Sequence, residues 1–127
     1  MLIDDDEEDN FFHKIVINDM NITESIQVAH NGIEALEFLT KENQTAPELI
    51  FLDINMPKMN GWEFLEAYQK LNAPQKAKLV VVMLTTSINP VDQKRAEQFP
   101  EIANFNSKPL TDLVLMDILK RYFASNL

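Results

Sequence analysis

The chain contains no cysteine, only two glycines, and eleven basic residues against twenty acidic ones. The missing cysteines exclude disulfides, thiolate nucleophiles and cysteine-based zinc sites; a reducing cytoplasm is the expected location. With so little glycine, neither G-x-G-x-x-G nor G-x-x-x-x-G-K occurs, which excludes nucleotide sites of those types. A formal charge of −9 leaves no basic face for a phosphate backbone, so direct binding to nucleic acid is not expected. No apolar run approaches the roughly 18–20 residues that span a bilayer, so no membrane insertion is expected. Acids follow Met1 almost at once, unlike a secretory signal. Repeats and low-complexity segments are absent too. What is present is 127 residues, 46% of them apolar, enough for one domain with a real core, expected over 1–127.

Within that domain the apolar pattern alternates between two periods. Strand-like runs fall at Met1–Ile3, Ser25–Ala29, Leu49–Leu52, Leu79–Leu84 and Ile102–Phe105. Helical stretches lie at 7–20, 32–43, 61–72, 90–99 and 111–124. Their starts are marked. Asn31 with Glu34, and Asn60 with Glu63, have the spacing of an N-cap and its reciprocal acid, and Asn89 precedes a proline at the first helical position. Pro74 and Pro100 punctuate the ends of the third and fourth helices. In the third helix Trp62, Leu65, Tyr68 and Leu71 recur at turn-like spacing, so one face packs on a sheet. Five strand–helix units in succession imply an α/β fold, a doubly wound parallel sheet with helices on both faces. The first strand is oddly short: three residues before Asp4 span only about 10 Å. Either the natural start lies upstream of Met1, or the strand is short and some stability is lost.

The segment LIFLDINMPKMNG, 49–61, poses the functional question. A strand apolar on both faces runs straight into Asp53, and a turn and a glycine follow before the next helix. In open parallel sheets ligands bind outside the carboxyl ends of the strands. The polar residues at those ends are Asp4-Asp5-Asp6, Asp53, Thr85-Thr86-Ser87 and Ser107-Lys108-Pro109. Carboxylates crowded together resist ionisation unless a cation neutralises them. Mg²⁺ suits a few carboxylates and keeps positions open for water or phosphate oxygens. Lys108 offers a point charge and Thr85 a donor to a phosphoryl group, and an Asp beside such a metal can attack phosphorus. Each residue also has a plainer reading. Asp4 and Asp5 can be helix caps, Thr85 a turn former, Lys108 a solvated side chain, and the rest of DDDEED (4–9) the acidic first turn of a helix. His13 and His30 suit neither a metal site nor a phosphodonor.

IDDD at 3–6, FLDINMPKMNG at 51–61, LTTS at 84–87 and SKPL at 107–110 together resemble the receiver domain of bacterial two-component response regulators, over essentially the whole chain. The resemblance implies a flavodoxin-like three-layer sandwich with strand order 2-1-3-4-5. It implies that Asp53 is the phosphoacceptor, charged by a histidine kinase or a histidine phosphotransfer protein. Asp5, Asp53 and the backbone carbonyl of Asn55 would ligate Mg²⁺, with Asp4 assisting through water. Thr85 and Lys108 would contact phosphoryl oxygens, and Phe105 would be either a rotating switch aromatic or plain core. Asp6 is expected as a cap. The output surface would be the fourth helix, fifth strand and fifth helix, read by a downstream protein target. The state expected is a monomer or a phosphorylation-dependent dimer.

Some residues depart from the family pattern. Asn89-Pro90 and Phe99-Pro100-Glu101 fall on the presumed switching face. Asn55 and Ser87 flank the route of a hydrolytic water and neither is a strong base, so self-dephosphorylation is expected to be ordinary to slow. A haloacid-dehalogenase-like phosphatase would want a second Asp where Asn55 stands and its nucleophile strand first. A receiver that only binds would lack some of these site residues. A calcium loop fails on glycine and terminal Glu spacing. No effector module follows the fifth helix, so a stand-alone receiver is expected, not an enzyme beyond its own phosphorylation and dephosphorylation.

Overall fold

The computed structural model describes residues 1–42, 45–72, 80–86 and 89–122; Pro74, Leu79, Ser87 and the last residues expected in the fifth helix fall outside them. Strands β1 (Leu2–Ile3), β2 (Val28–Ala29), β3 (Leu49–Asp53), β4 (Val80–Thr85) and β5 (Ile102–Ser107) alternate with α1 (Glu7–Asp19), α2 (Gly32–Thr40), α3 (Gly61–Tyr68), α4 (Pro90–Ala96) and α5 (Asp112–Tyr122). The strands form one parallel sheet in the order 2-1-3-4-5. The fold is therefore the flavodoxin-like sandwich.

Period-2 alternation sorts the strand side chains into two cores. Ile3, Ile50, Leu52 and Met83 pack against α2, α3 and α4 through Ala35, Leu39, Trp62, Phe64, Leu65, Ala96 and Phe99. Leu2, Phe51, Val82 and Leu84 pack on the other face against Ile17 of α1 and Leu115, Ile118 and Leu119 of α5. Each fully buried Leu or Ile here contributes about 1.5–3 kcal/mol.

Element ends follow local chemistry. Asn60 makes a complete capping box with Glu63, and Asn89 takes the Asp92 N–H with Pro90 at the first position of α4. Asn31 caps α2 by accepting from Glu34, but Glu34 returns to the N–H of His30 and not to that of Asn31. The second strand is shorter than expected. β1 offers only Leu2 and Ile3 for pairing, so an edge strand beside it can pair only Val28 and Ala29. β5 is longer, because β4 partners it out to Thr85 opposite Ser107. The short first strand is nonetheless central, paired on both sides and buried.

Candidate functional site

Sheet register brings the polar strand ends to one rim. Ile3 lies beside Leu52, so the next residues, Asp4 and Asp53, stand level. Asp53 pairs with Leu84 and Thr85 with Ser107, which sets Lys108 one step beyond. The Lys108 N–H donates to the Thr85 carbonyl at 2.7 Å, fixing where its side chain departs. The Lys108–Pro109 peptide is cis.

From there the Lys108 side chain, 8% exposed, runs into the carboxylates. Nζ lies 2.6 Å from Asp4 Oδ2, 2.9 Å from Asp9 Oδ2 and 3.5 Å from Asp53 Oδ1. Burial alone would lower its pKa, but donation to Asp4 and Asp9 and the nearby Asp53 charge raise it, so the lysine stays protonated. Asp53 moves the other way. Burial, reinforced by the Asp4 charge, pushes its carboxyl up to about 6, against the pull of Lys108 and the Ile54 N–H. The Lys108 ammonium thus offsets only part of the rim's negative charge.

The donor set fits a hard dication. Asp4, Asp5 and Asp53 each present a carboxylate oxygen, all within 4.8 Å of one another. Asp4 and Asp53 are buried and Asp5 is exposed, so such an ion would sit at the mouth. Above it opens a cleft of about 580 Å³ bordered by Asp5, Asp53, Asn55, Thr86, Lys108 and the first turn of α1. The loop after Asp53 is held close. Gly61 N–H donates to the Ile54 carbonyl at 2.8 Å, and a Cβ on Gly61 would collide with the Asp53 carbonyl oxygen. That is why a glycine opens α3.

The structure brings Asp4, Asp5, Asp53 and Lys108 together, with Asn55 at the cleft edge. Thr85 is buried at the rim's base, its carbonyl engaged by Lys108, and Thr86 is the exposed hydroxyl that lines the cleft. Phe105 is partly buried against the core shared with α3 and α4. Asp6 accepts from the N–H groups of Glu8 and Asp9, the cap expected of it. His30 faces Glu7 and Glu34 at the surface.

Three residues of α1 were not anticipated as parts of this site. Asp9 pairs with Lys108. Asn10 donates from Nδ2 to the Asp4 carbonyl at 2.8 Å, and its Oδ1 is buried without a partner among the described residues. His13, fully buried, accepts the Leu110 N–H on Nε2 at 3.2 Å and so ties α1 to the turn after Lys108. Burial lowers its pKa against the opposing charges of Asp4 and Asp9, which keeps that nitrogen an acceptor. For Asn10 and His13 the available signal was the spacing of positions 10, 13 and 17 along one helix face.

Comparison with known proteins agrees with the rim. The sequence matches the family model of the response regulator receiver domain over residues 1–120. It is 30% identical over 121 residues to the sensor histidine kinase CheAY of Helicobacter pylori, covering 95% of this chain and 14% of that protein. It is 35% identical over 96 residues to the response regulator Rcp1 of Synechocystis, covering 72% of this chain and 64% of that one. The chain thus spans only part of the curated relatives it matches. The Mn²⁺-bound form of a response regulator Rcp1 superposes with a TM-score of 0.77 at 26% identity, covering 99% of this chain and 94% of that chain. A two-component response regulator from Cytophaga hutchinsonii superposes at 0.81 with 34% identity, covering 94% and 92%. The chain belongs to the response regulator receiver domain family.

Proposed function

We propose that Asp53 accepts a phosphoryl group from a phosphohistidine of a sensor kinase or phosphotransfer protein, and that the resulting aspartyl phosphate switches the surface formed by α4, β5 and α5. Receiver domains of this family work in two-component phosphorelays, with phosphoaspartate and Mg²⁺ or Mn²⁺ as general features. The observation that carries the reading is the convergence on Asp53 of two further carboxylates and a buried ammonium.

In the step itself an Asp53 carboxylate oxygen attacks phosphorus, the O–P bond forms as the P–N bond breaks, and the imidazole leaves with the electron pair. Asp53 must be ionised to attack; burial and the Asp4 charge resist that in the metal-free site, and a bound dication would favour it. Asp5, Asp53 and the Asn55 carbonyl, with Asp4 behind them, would hold Mg²⁺, which when bound neutralises charge on the phosphoryl oxygens. Lys108, 3.5 Å from Asp53, is within reach of a phosphoryl oxygen there. Thr85 is one residue beyond the partner of Asp53 in β4, and its hydroxyl would supply the second contact.

Contacts made only in one arrangement of α4 and β5 would populate that arrangement, for which a few kcal/mol of differential binding suffices. Lys108 follows directly on β5, which carries Phe105, and its N–H is bonded to the Thr85 carbonyl at the end of β4, so pull at the rim acts on β5 directly. Val91 on α4 and Leu113 on α5 expose 76% and 74% of their surface, apolar contacts for a downstream protein. No helix among the described residues is long and apolar enough to cross a membrane, and the proposed setting is the cytoplasm. On this reading the protein turns over no small phosphate ester. Acetyl phosphate with Mg²⁺ labels the wild type and not Asp53→Asn; persistent labelling of that variant refutes the assignment.

A further inference from the structure

Lys108, which a phosphoryl group on Asp53 would need, is already engaged by a carboxylate from another element. Its ammonium has three N–H donors. The short contacts go to Asp4 at 2.6 Å and Asp9 at 2.9 Å, while Asp53 is farther, at 3.5 Å. The third N–H is left for Asp53 or a phosphoryl oxygen there, and drawing Nζ in from 3.5 Å pulls against the two short pairs.

The two partners differ in what release would do to them. The Asp4 side chain is 7% exposed, so an unpaired charge there would be stranded away from water. Asp9 is 35% exposed and stands third in α1, where water reaches it and the helix dipole favours a negative charge. In the metal-free site Asp9 therefore survives release and Asp4 does not. Nor does Asp9 belong to the trio of carboxylates spaced for a cation, so metal binding would draw on Asp4 and leave Asp9 with the lysine.

We propose that Asp9 is a positioning residue that competes with the phosphoryl group on Asp53 for Lys108, weakening the hold of the site on that group and coupling its release to the first turn of α1. The inference rests on Asp53 being the phosphoacceptor. It adds a residue on α1 whose effect on the site runs through another side chain.

Beryllofluoride, titrated into the full chain at saturating Mg²⁺ and followed by amide NMR, tests it. Removing the competitor in Asp9→Asn tightens binding by roughly three- to tenfold. Asp9→Ser, a second substitution that also removes the charge, gives the same direction, so a folding defect in one variant does not decide the outcome. Glu8→Gln removes an equal charge from the neighbouring exposed residue and changes affinity by less than about twofold, because a screened charge without a lysine partner acts weakly. On adding beryllofluoride to the wild type, the amide signals of Glu8, Asp9 and Asn10 shift as the pair opens. Unchanged or weaker binding by both Asp9 variants overturns the proposal, as does equal tightening by Glu8→Gln. If the wild type itself does not bind beryllofluoride, the phosphoacceptor reading fails first, and that result is separate from a wild type that binds without responding to Asp9.

Discussion

Asp53 must be charged to act, yet its surroundings resist that charge. Burial and the Asp4 carboxylate raise its pKa to about 6, above an ordinary 3.8, even with Lys108 nearby. Between those values the folded chain holds a proton that the unfolded chain has lost, so stability falls as pH rises through this window. In chelator-treated protein, Asp53→Asn is therefore more stable than the wild type at pH 8 by about 1–2 kcal/mol, the open side of the rim screening the rest. The gain shrinks towards zero near pH 4, where the wild-type carboxyl is protonated. Urea denaturation at both values measures it; an Asn variant no more stable at pH 8 contradicts the electrostatic account. At this scale Asp53, Lys108 and the acidic pair were legible because each stands at a strand end. Asp9 was not. An acid in the first turn looks like ordinary dipole compensation, and its partner lies 99 positions away in the chain.

Elements place those residues, and turn chemistry carries much of the placement. The loop from Asp53 to Asn60 folds back so that Gly61 touches the end of β3, and the Asn60–Glu63 capping box starts α3 there. Gly61→Ala pushes a methyl group into the Asp53 backbone. It lowers stability by about 1–3 kcal/mol, as overpacking against main chain does, and weakens Mg²⁺ binding because Asp53 shifts. Asn60→Ala, by comparison, loses about 1 kcal/mol of cap without moving Asp53. Calorimetric unfolding with metal titration separates the two, and a Gly61→Ala chain with wild-type stability and metal affinity would contradict the close-approach argument. Caps were readable because their spacing is local. The ends of β2 and β5 were not, because pairing length is decided by the neighbouring strand: β1 curtails one and β4 extends the other.

Across the whole molecule, the sheet separates two hydrophobic cores and leaves its carboxyl rim polar. The alternation of strand and helix patterns was enough to read a doubly wound parallel sheet. The 2-1-3-4-5 order was legible only through resemblance, since periodicity does not say which strands are neighbours. That order makes the site: it sets the ends of β1 and β3 side by side, with β4 and β5 following. The same order puts α1 and α5 on one face, so an α1 carboxylate can meet the lysine that precedes α5. The measurement that bears most directly on this arrangement is chemical mapping of the phosphorylated residue. The chain is treated with acetyl phosphate in Mg²⁺, the acyl phosphate is reduced with borohydride, and the modified position is read by peptide mass spectrometry. Modification at Asp53 alone, lost when the metal is chelated, is the predicted result; modification at Asp4, Asp5 or Asp9 instead, or labelling indifferent to metal, would contradict it.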